Sequence, residues 1–266
     1  MLCFNIIELF LSHYLSITGE MMMKKRDYNP YVSVDCVVFG FDGKELNVLL
    51  IERHILENNN DYNDKKLPGS IIYMDENIDE AASRVLTELT GLKNIPLSQF
   101  HSFGDPERSG NPRDVLWLEK TTHTKIGRIV TIGYVALIKI NRKITLDSEG
   151  KSANWYNIRD IKKMSLAFDH SLIIEKGLEH VKHWFSVEPD IMFKLLPRKF
   201  TLSQLRLLYD AVNQTKSDVR NFQKKIKQWK NLVMLDEFEK NVPHRAARLW
   251  RVKNEKCKVK NSAFGE

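Results

Sequence analysis

The segment Gly69 to Leu92, GSIIYMDENIDEAASRVLTELTGL, constrains the fold more than any other, because it specifies a helix together with both its ends. Asn77 is a good N-cap, with Glu80 three residues on as in a capping box, and Gly91 suits the left-handed position that closes a helix. Between them Ile78, Ala81, Ala82, Val85, Leu86 and Leu89 supply an apolar face at helical spacing. Arg84 and Glu88 are i,i+4 neighbours on the remaining face, and read as a partly buried structural ion pair.

Around this helix the chain alternates strands and helices. Tyr31 to Phe41 (YVSVDCVVFGF) and Leu46 to Arg53 (LNVLLIER) are β-branched runs separated by Asp42-Gly43, a hairpin pattern. His54 to Lys66 is polar and Asn-rich, and reads as a loop. Strands are expected at Leu97–Phe103, Ile126–Ile140 and Ala153–Ile158. Asp105 to Lys125, with Pro106, Gly110 and Pro112, reads as a long surface loop or flap. Phe168-Asp169-His170 opens a helix to about Phe185, with Leu172, Ile173, Ile174, Leu178 and Val181 as its apolar positions.

Beyond Pro197 the character changes. TLSQ, Thr201 to Gln204, is a capping box that starts a helix through about Val212. After Asn213-Gln214-Thr215, Ser217 caps a second helix, DVRNFQKKIKQWK, with Val219, Phe222, Ile226 and Trp229 as a buried stripe. Arg220, Lys224 and Lys227 lie at i, i+4 and i+7 on its opposite face. Leu232–Leu235 and Ala247–Val252 read as strands around a polar tip carrying Pro243, His244, Arg245 and Arg248. Helix, short turn, basic helix and hairpin form the layout of a winged helix-turn-helix, whose second helix enters the major groove while flanking cations grip phosphates.

Charge follows the same division. From Ile191 onward there are 18 Lys/Arg against 7 Asp/Glu, a net of +11, whereas the first 190 residues hold 23 against 27, a net of −4. A basic module joined to a slightly acidic one points to a polyanionic partner for the second half. A basic face can equally be merely solvated; the capped helix pair and hairpin favour DNA. Cys3, Cys36 and Cys257 fit neither a zinc pattern nor a disulfide framework, so a reducing, cytoplasmic setting is expected. Met1 to Ile17 is apolar but short, interrupted by Glu8 and His13, and lacks a basic start, so no membrane anchor is expected. Met21, Met22 and Met23 precede Lys24-Lys25-Arg26, and translation is expected to start there; a signal peptide is the alternative.

Gly69 to Leu92 also resembles the Nudix box, G-x5-E-x7-R-E-U-x-E-E-x-G-U, where U is bulky and aliphatic. Anchored on Gly91-Leu92, the match runs back through Glu88, Leu86, Arg84 and Glu76, and the first glycine falls on Ser70, with Gly69 just before it. Val85 and Leu89 stand where two of the three helix glutamates would be. A Mg²⁺ site for pyrophosphate hydrolysis needs several converging carboxylates, and Glu76 is the one further box carboxylate besides Glu88. The order of elements from Asn29 to Trp184 resembles the Nudix fold as well.

Taken with VDCVVFGF, RVLTELTGL and RIVTIGYVALI in the first domain and LLPRKFTLSQLRLLYDA, DVRNFQKKI and RAARLWRV in the second, the chain resembles the Nudix-related bacterial transcriptional regulators. One branch controls NAD metabolism and senses ADP-ribose or related nucleotides; another has a degenerate box and senses a sugar such as arabinose. Val85 and Leu89 make the chain look closer to the sugar-sensing branch.

The resemblance implies an α+β protein: a 1–28 extension, a Nudix-like α/β/α sandwich with a mixed sheet over 29–186, a winged helix-turn-helix over 187–260 and a 261–266 tail. It implies a homodimer on paired half-sites of a double-stranded operator, with no cofactor, metal or catalytic residue. The effector, a sugar or nucleotide sugar, would occupy the former substrate cleft near Glu76, Arg84, Glu88, Arg128 and His101. The flap, with Trp117, Arg108 and Arg113, is placed to cover it. Arg220, Lys224 and Lys227 would enter the major groove, with Arg245 and Arg248 on phosphates. The alternatives are a metal-dependent hydrolase of a nucleoside-diphosphate compound such as ADP-ribose, using Glu76 and Glu88, and an RNA-binding module without ligand control.

Overall fold

The structure is a computed structural model that describes residues 26–57, 60–140, 153–243 and 245–253. The expected start at Met21 to Met23, the extension before residue 26, His244 and the tail from 254 lie outside the described residues.

The hairpin forms as its turn requires. β1 (Tyr28–Phe41) and β2 (Leu46–Glu57) pair antiparallel in the register Phe39↔Val48, and the Asp42 carboxylate accepts from the backbone N–H of Lys44 and Glu45, each at 2.8 Å. β3 (Asn60–Lys66), β4 (Gly69–Tyr73), β5 (Ser98–Phe103), β6 (Val130–Lys139) and β7 (Ala153–Asn157) complete one sheet. Its main order is β3-β2-β1-β6-β5, with β4 on β1 and β7 on β2. β1 and β6 run parallel, so the sheet is mixed.

Alternation along β1 explains the two layers of helix. Val34, Cys36 and Val38 pack with Ala81, Ala82, Val85 and Leu86 of α1 (Ile78–Thr90) on one face. Val37, Phe39 and Phe41 pack on the other face with Ile173, Ile174, Leu178 and Val181 of the helix His170–Val187. A strand buried on both faces must read as a continuous apolar run, as this one does.

Two expectations are corrected. His54 to Lys66 is not a loop: β2 continues to Glu57 and β3 returns from Asn60, with Arg53 directly opposite Asp64. β3 is an edge strand, where polar residues are tolerated and the apolar alternation is lost. The flap is helical: a 3-10 turn, Pro106–Ser109, leads to α2 (Pro112–Thr122). The prolines start helical turns instead of breaking them, and Asn111 caps α2 by accepting from the Arg113 N–H at 3.1 Å. Leu118 is buried under α2 against Ile71 and Ile129, with Trp117 packed beside it.

The helix His170–Val187, hereafter α3, runs into a 3-10 segment, Pro189–Leu195. Then come β8 (Phe200–Thr201), α4 (Leu202–Asn213), α5 (Val219–Ile226), β9 (Leu232–Phe238) and β10 (Arg248–Val252). The second sheet has the order β8-β10-β9. Thr201 and Gln204 form the expected capping box. α5 is capped by Asp218, not Ser217, because the Asp218 carboxylate accepts from the Asn221 N–H at 3.0 Å. α5 ends at Ile226, so Lys227 sits just past it, and Val219 is half exposed instead of buried. Phe193, Phe200, Leu205, Leu208, Phe222 and Ile226 belong to one apolar core that continues into the α3 face of the first domain.

Candidate effector cleft and nucleic-acid face

The chemistry at the start of α1 is decided by one arginine. Both Glu76 oxygens accept from Arg84, Oε1 from Nη2 at 2.5 Å and Oε2 from Nε at 2.9 Å, and Oε1 also accepts from the Tyr73 N–H at 2.8 Å. Arg84 Nη1 reaches Glu88 Oε2 at 3.0 Å. The Arg84 and Arg26 guanidinium groups each lie 4.2 Å from the Tyr73 ring centroid, and Tyr28 stacks on the same ring at 4.7 Å. Burial alone would raise the Glu76 carboxyl; its bonds to Arg84 outweigh that and hold it below the usual carboxylate range. Glu76 is only 4 % exposed, while Glu88 is 53 % exposed.

This donor set does not fit a catalytic Mg²⁺. Glu76 has both oxygens occupied by a cation, Glu88 faces the same cation, and Val85 and Leu89 contribute no oxygen at the remaining box positions. Among the described residues no group of three His, Cys, Asp or Glu side chains converges as metal ligands would.

A cleft does lie beside the box, as two adjoining hollows of about 30 and about 200 Å³ that share Lys66, Gly69, Ser70, Trp117 and Leu118. Arg108, Asp35, Phe168 and His170 line the smaller one; Arg53, Arg84, Glu88 and Leu89 line the larger. The box glycine matters here as Gly69, not as its neighbour: a Cβ on it would stand 1.8 Å from Asp35 Oδ1 and 2.9 Å from the Val34 carbonyl oxygen.

Buried charges in the cleft are paired, as burial demands. Asp35 Oδ2 accepts from the Thr131 hydroxyl at 2.7 Å and lies 3.8 Å from Arg108; its Oδ1 lies 3.4 Å from His170 Nε2. Because His170 Nδ1 accepts from the Leu67 N–H at 3.0 Å, the ring proton sits on Nε2, facing Asp35. Burial would raise the Asp35 carboxyl, but His170, Arg108 and Thr131 together hold it far below its ordinary value. Lys66 Nζ donates to the Gly69 carbonyl at 2.7 Å. Arg108 grips Asp169 with two bonds of 2.8 and 3.1 Å. Arg53, 1 % exposed, binds Asp64 through Nε at 2.7 Å and through Nη2, and binds Asp114 of α2 through Nη2 at 2.5 Å.

Of the effector residues expected from sequence, Arg84 and Glu88 line the cleft and Glu76 lies beneath it as their partner. Arg128 and His101 do not belong to it. Arg128 precedes β6, is exposed, and donates to the Gly104 carbonyl at 2.7 Å. His101 is exposed on β5, the strand at the far edge from β2, with its ring edge-on to Phe103 at 4.8 Å. The flap residues Trp117 and Arg108 do reach the cleft. Asp35, Arg53, Lys66, Asp114 and His170 were not anticipated. Their sequence signal is a single charge inside an apolar strand, as in VSVDCVV and VLLIER, where solvation cannot be the reason for it.

In the C-terminal domain Arg220 and Lys224 are exposed on α5, with Lys227 exposed just beyond. Lys225 is drawn aside, donating to the Tyr209 hydroxyl at 2.5 Å. The helix-turn-helix angle is fixed from within: Asp210 Oδ1 accepts from the Ser217 N–H at 3.0 Å, and Arg206 donates to the Ser217 carbonyl at 3.2 Å. Arg245 and Arg248 are exposed near the β9–β10 tip, and the Arg248 guanidinium lies 5.1 Å from the Phe238 ring centroid.

A family model described as the NUDIX domain matches residues 29–177, and one described as the NrtR DNA-binding winged helix domain matches residues 192–252. The chain is 28% identical over 197 residues to the ADPR responsive transcriptional repressor NtrR of Acinetobacter baylyi, covering 71% of this chain and 69% of that one. It is 29% identical over 160 residues to an ADP-ribose pyrophosphatase of Methanocaldococcus jannaschii, covering 59% and 82%. The crystal structure of Shewanella oneidensis NrtR complexed with a 27mer DNA superposes with a TM-score of 0.61 at 23% identity, covering 84% of this chain and 93% of that chain, which supports the fold. The described residues contain no helix long and apolar enough to cross a membrane. With the first model spanning more than half of its length and the second its basic C-terminal part, this chain belongs to the Nudix family and joins a Nudix domain to an NrtR-type winged helix.

Proposed function

We propose that this protein is a DNA-binding transcriptional regulator whose Nudix domain binds a small anionic ligand of the ADP-ribose class without hydrolysing it. One observation carries this reading: the box carboxylate Glu76 is held on both oxygens by Arg84, in a chain that also presents Arg220 and Lys224 from a winged helix. The name of the Acinetobacter relative supports ADP-ribose as effector. Arg53, Lys66 and the Trp117 ring suit an anionic nucleotide better than a free sugar, because cations answer phosphate and an aromatic face answers a base. The arabinose-like effector suggested by Val85 and Leu89 rests on loss of metal ligands alone, which a nucleotide sensor shares.

In this reading residues 29–186 sense the ligand, residues 187–260 bind a double-stranded operator, and the protein acts in the cytoplasm as a homodimer on paired half-sites. Arg220, Lys224 and Lys227 face the major groove, and Arg245 and Arg248 face phosphates. The ligand shifts DNA affinity only by its unequal affinity for the two conformations.

Thermal unfolding with ADP-ribose, then with arabinose, tests the effector. At a hundredfold excess over its dissociation constant a true ligand adds about 2.7 kcal/mol, or about 5–10 °C for a chain of this size. A shift with arabinose alone would restore the sugar reading. The Methanocaldococcus relative favours a second reading, hydrolysis of ADP-ribose. Mg²⁺-dependent turnover that disappears in Glu88→Gln would establish it.

A further inference from the structure

The cleft contains one buried donor without a partner. Arg53 Nη1 makes no hydrogen bond to any described residue, although the side chain is 1 % exposed and lines the larger hollow. Its other terminal nitrogen, Nη2, is claimed by two carboxylates at once, Asp64 and Asp114. A guanidinium is built to hold an oxyanion with two parallel bonds, and leaving one fork empty while the other is shared is a poor use of a buried cation. The two acids also differ in where they are anchored. Asp64 is opposite Arg53 in the sheet, whereas Asp114 belongs to the first turn of α2, which roofs the cleft.

Asp114 has a second attachment. Its Oδ2 accepts from the Phe168 N–H at 3.0 Å. Phe168 sits at φ 50°, a left-handed conformation that a bulky residue adopts only under constraint. It lines the smaller hollow and lies two residues before α3, the helix whose apolar face is continuous with the winged-helix core. A single carboxylate thus ties the roof helix, the cleft cation and the strained entry to α3 together. The hollow beside Arg53, about 200 Å³, is also below the roughly 300 Å³ at which ordinary ligand sites begin. A nucleotide-sized ligand requires the roof to move.

We propose that Arg53 is an oxyanion subsite that Asp114 occupies as an internal stand-in until a phosphate or carboxylate of the ligand displaces it. Displacement keeps the charge balance, since one anion replaces another at Nη1 and Nη2 while Asp64 remains. It also releases α2 and removes the hydrogen bond that holds Phe168 left-handed, so the start of α3 can relax. This rests on the cleft being the ligand site, as proposed above, and supplies the step by which occupancy is felt outside it.

The test is calorimetric titration of the full-length protein and of Asp114→Asn with two probes, ADP-ribose and inorganic pyrophosphate. Removing a competing anion should tighten binding by about tenfold, as expected when the competent state rises from a tenth to nearly all of the population. ADP-ribose binding equally well or less well to Asp114→Asn than to the unaltered chain overturns the stand-in and leaves the ligand reading intact. Tighter pyrophosphate binding by the variant, with ADP-ribose ignored by both proteins, supports the Arg53 subsite and sinks the ADP-ribose reading. Hydrogen exchange in the unaltered protein gives an answer that does not depend on the variant's folding. Amides of Val115 to Thr122 should exchange faster with pyrophosphate bound, and slower exchange would overturn release of the roof.

Discussion

Replacing Glu76 by alanine should be much more harmful than replacing Glu88, although both are box glutamates on the same arginine. Glu76 is 4 % exposed and gives both oxygens to Arg84 and one to the Tyr73 N–H; Glu88 is 53 % exposed and makes one bond. Removing one partner of a buried pair costs about 3–5 kcal/mol when the other is left uncompensated. Arg84 keeps Glu88 and partial access to water, so the low end of that range, about 3 kcal/mol, applies to Glu76→Ala. Glu88→Ala removes an exposed pair, for which about 0.5 kcal/mol is expected. At about 2–4 °C per kcal/mol, calorimetric melting should drop by about 6–12 °C for the first variant and by about 1–2 °C for the second. The difference should also depend on pH. The Glu76 carboxyl is held below its ordinary value, so its contribution is complete above the unfolded value of about 4.3 and is lost as pH falls through the lower folded value. The melting gap between wild type and Glu76→Ala should therefore close in acid. Equal melting of the two variants at pH 7, or stabilisation by Glu76→Ala, would mean that Glu76 is retained for catalysis at the expense of stability, and the structural reading of the box would fail.

Gly69→Ala should destabilise strongly, by about 3 kcal/mol or more, because the new methyl meets backbone as well as the buried Asp35; a melting temperature within 2 °C of wild type, on the order of one mutational kcal/mol or less, would show the close approach to be unimportant. Asp35→Asn should flatten the acid limb of the stability curve, since the Asp35 carboxyl lies far below its ordinary value and its contribution is lost only as pH falls below about 3.9; an unchanged acid limb in urea titrations would refute this. Arg220→Ala combined with Lys224→Ala should weaken binding to duplex DNA and reduce the slope of log affinity against log salt by about two units, at nearly one per phosphate contact. An unaltered slope in fluorescence anisotropy would remove α5 from the DNA face.

Features determined by neighbours in sequence were legible, and those determined across the fold were not. The ends of α1 and the start of α4 follow from Asn77, Glu80, Gly91, Thr201 and Gln204, each acting within four residues. The flap was misread because Pro106 and Pro112 look like breakers when counted and like first-turn residues only once Asp105 and Asn111 are seen to cap the turns they open. The β3 edge was missed because its polarity follows from having one neighbour strand instead of two. Arg84 and Glu88 could be assigned to the cleft through the box spacing. Arg53 could not, because its partners Asp64 and Asp114 are 11 and 61 residues away, and nothing local distinguishes a buried arginine from a solvated one. His101 and Arg128 were plausible for the converse reason: their residue types suit a polar ligand, and only the sheet order shows them to lie elsewhere.

The most direct measurement of the central claim is linked binding in the full-length protein. Duplexes selected by the protein from a random pool would be titrated by fluorescence anisotropy at about 0.15 M salt, with and without saturating ADP-ribose. Selected duplexes should bind at least a thousandfold more tightly than random ones, on the order of ordinary operator specificity. ADP-ribose should change that affinity by about tenfold or more, and the DNA should change ADP-ribose affinity by the same factor, because coupling between two sites is reciprocal. Equal affinity for selected and random duplexes, or ADP-ribose that binds without altering DNA affinity, would contradict a regulator gated through its Nudix cleft.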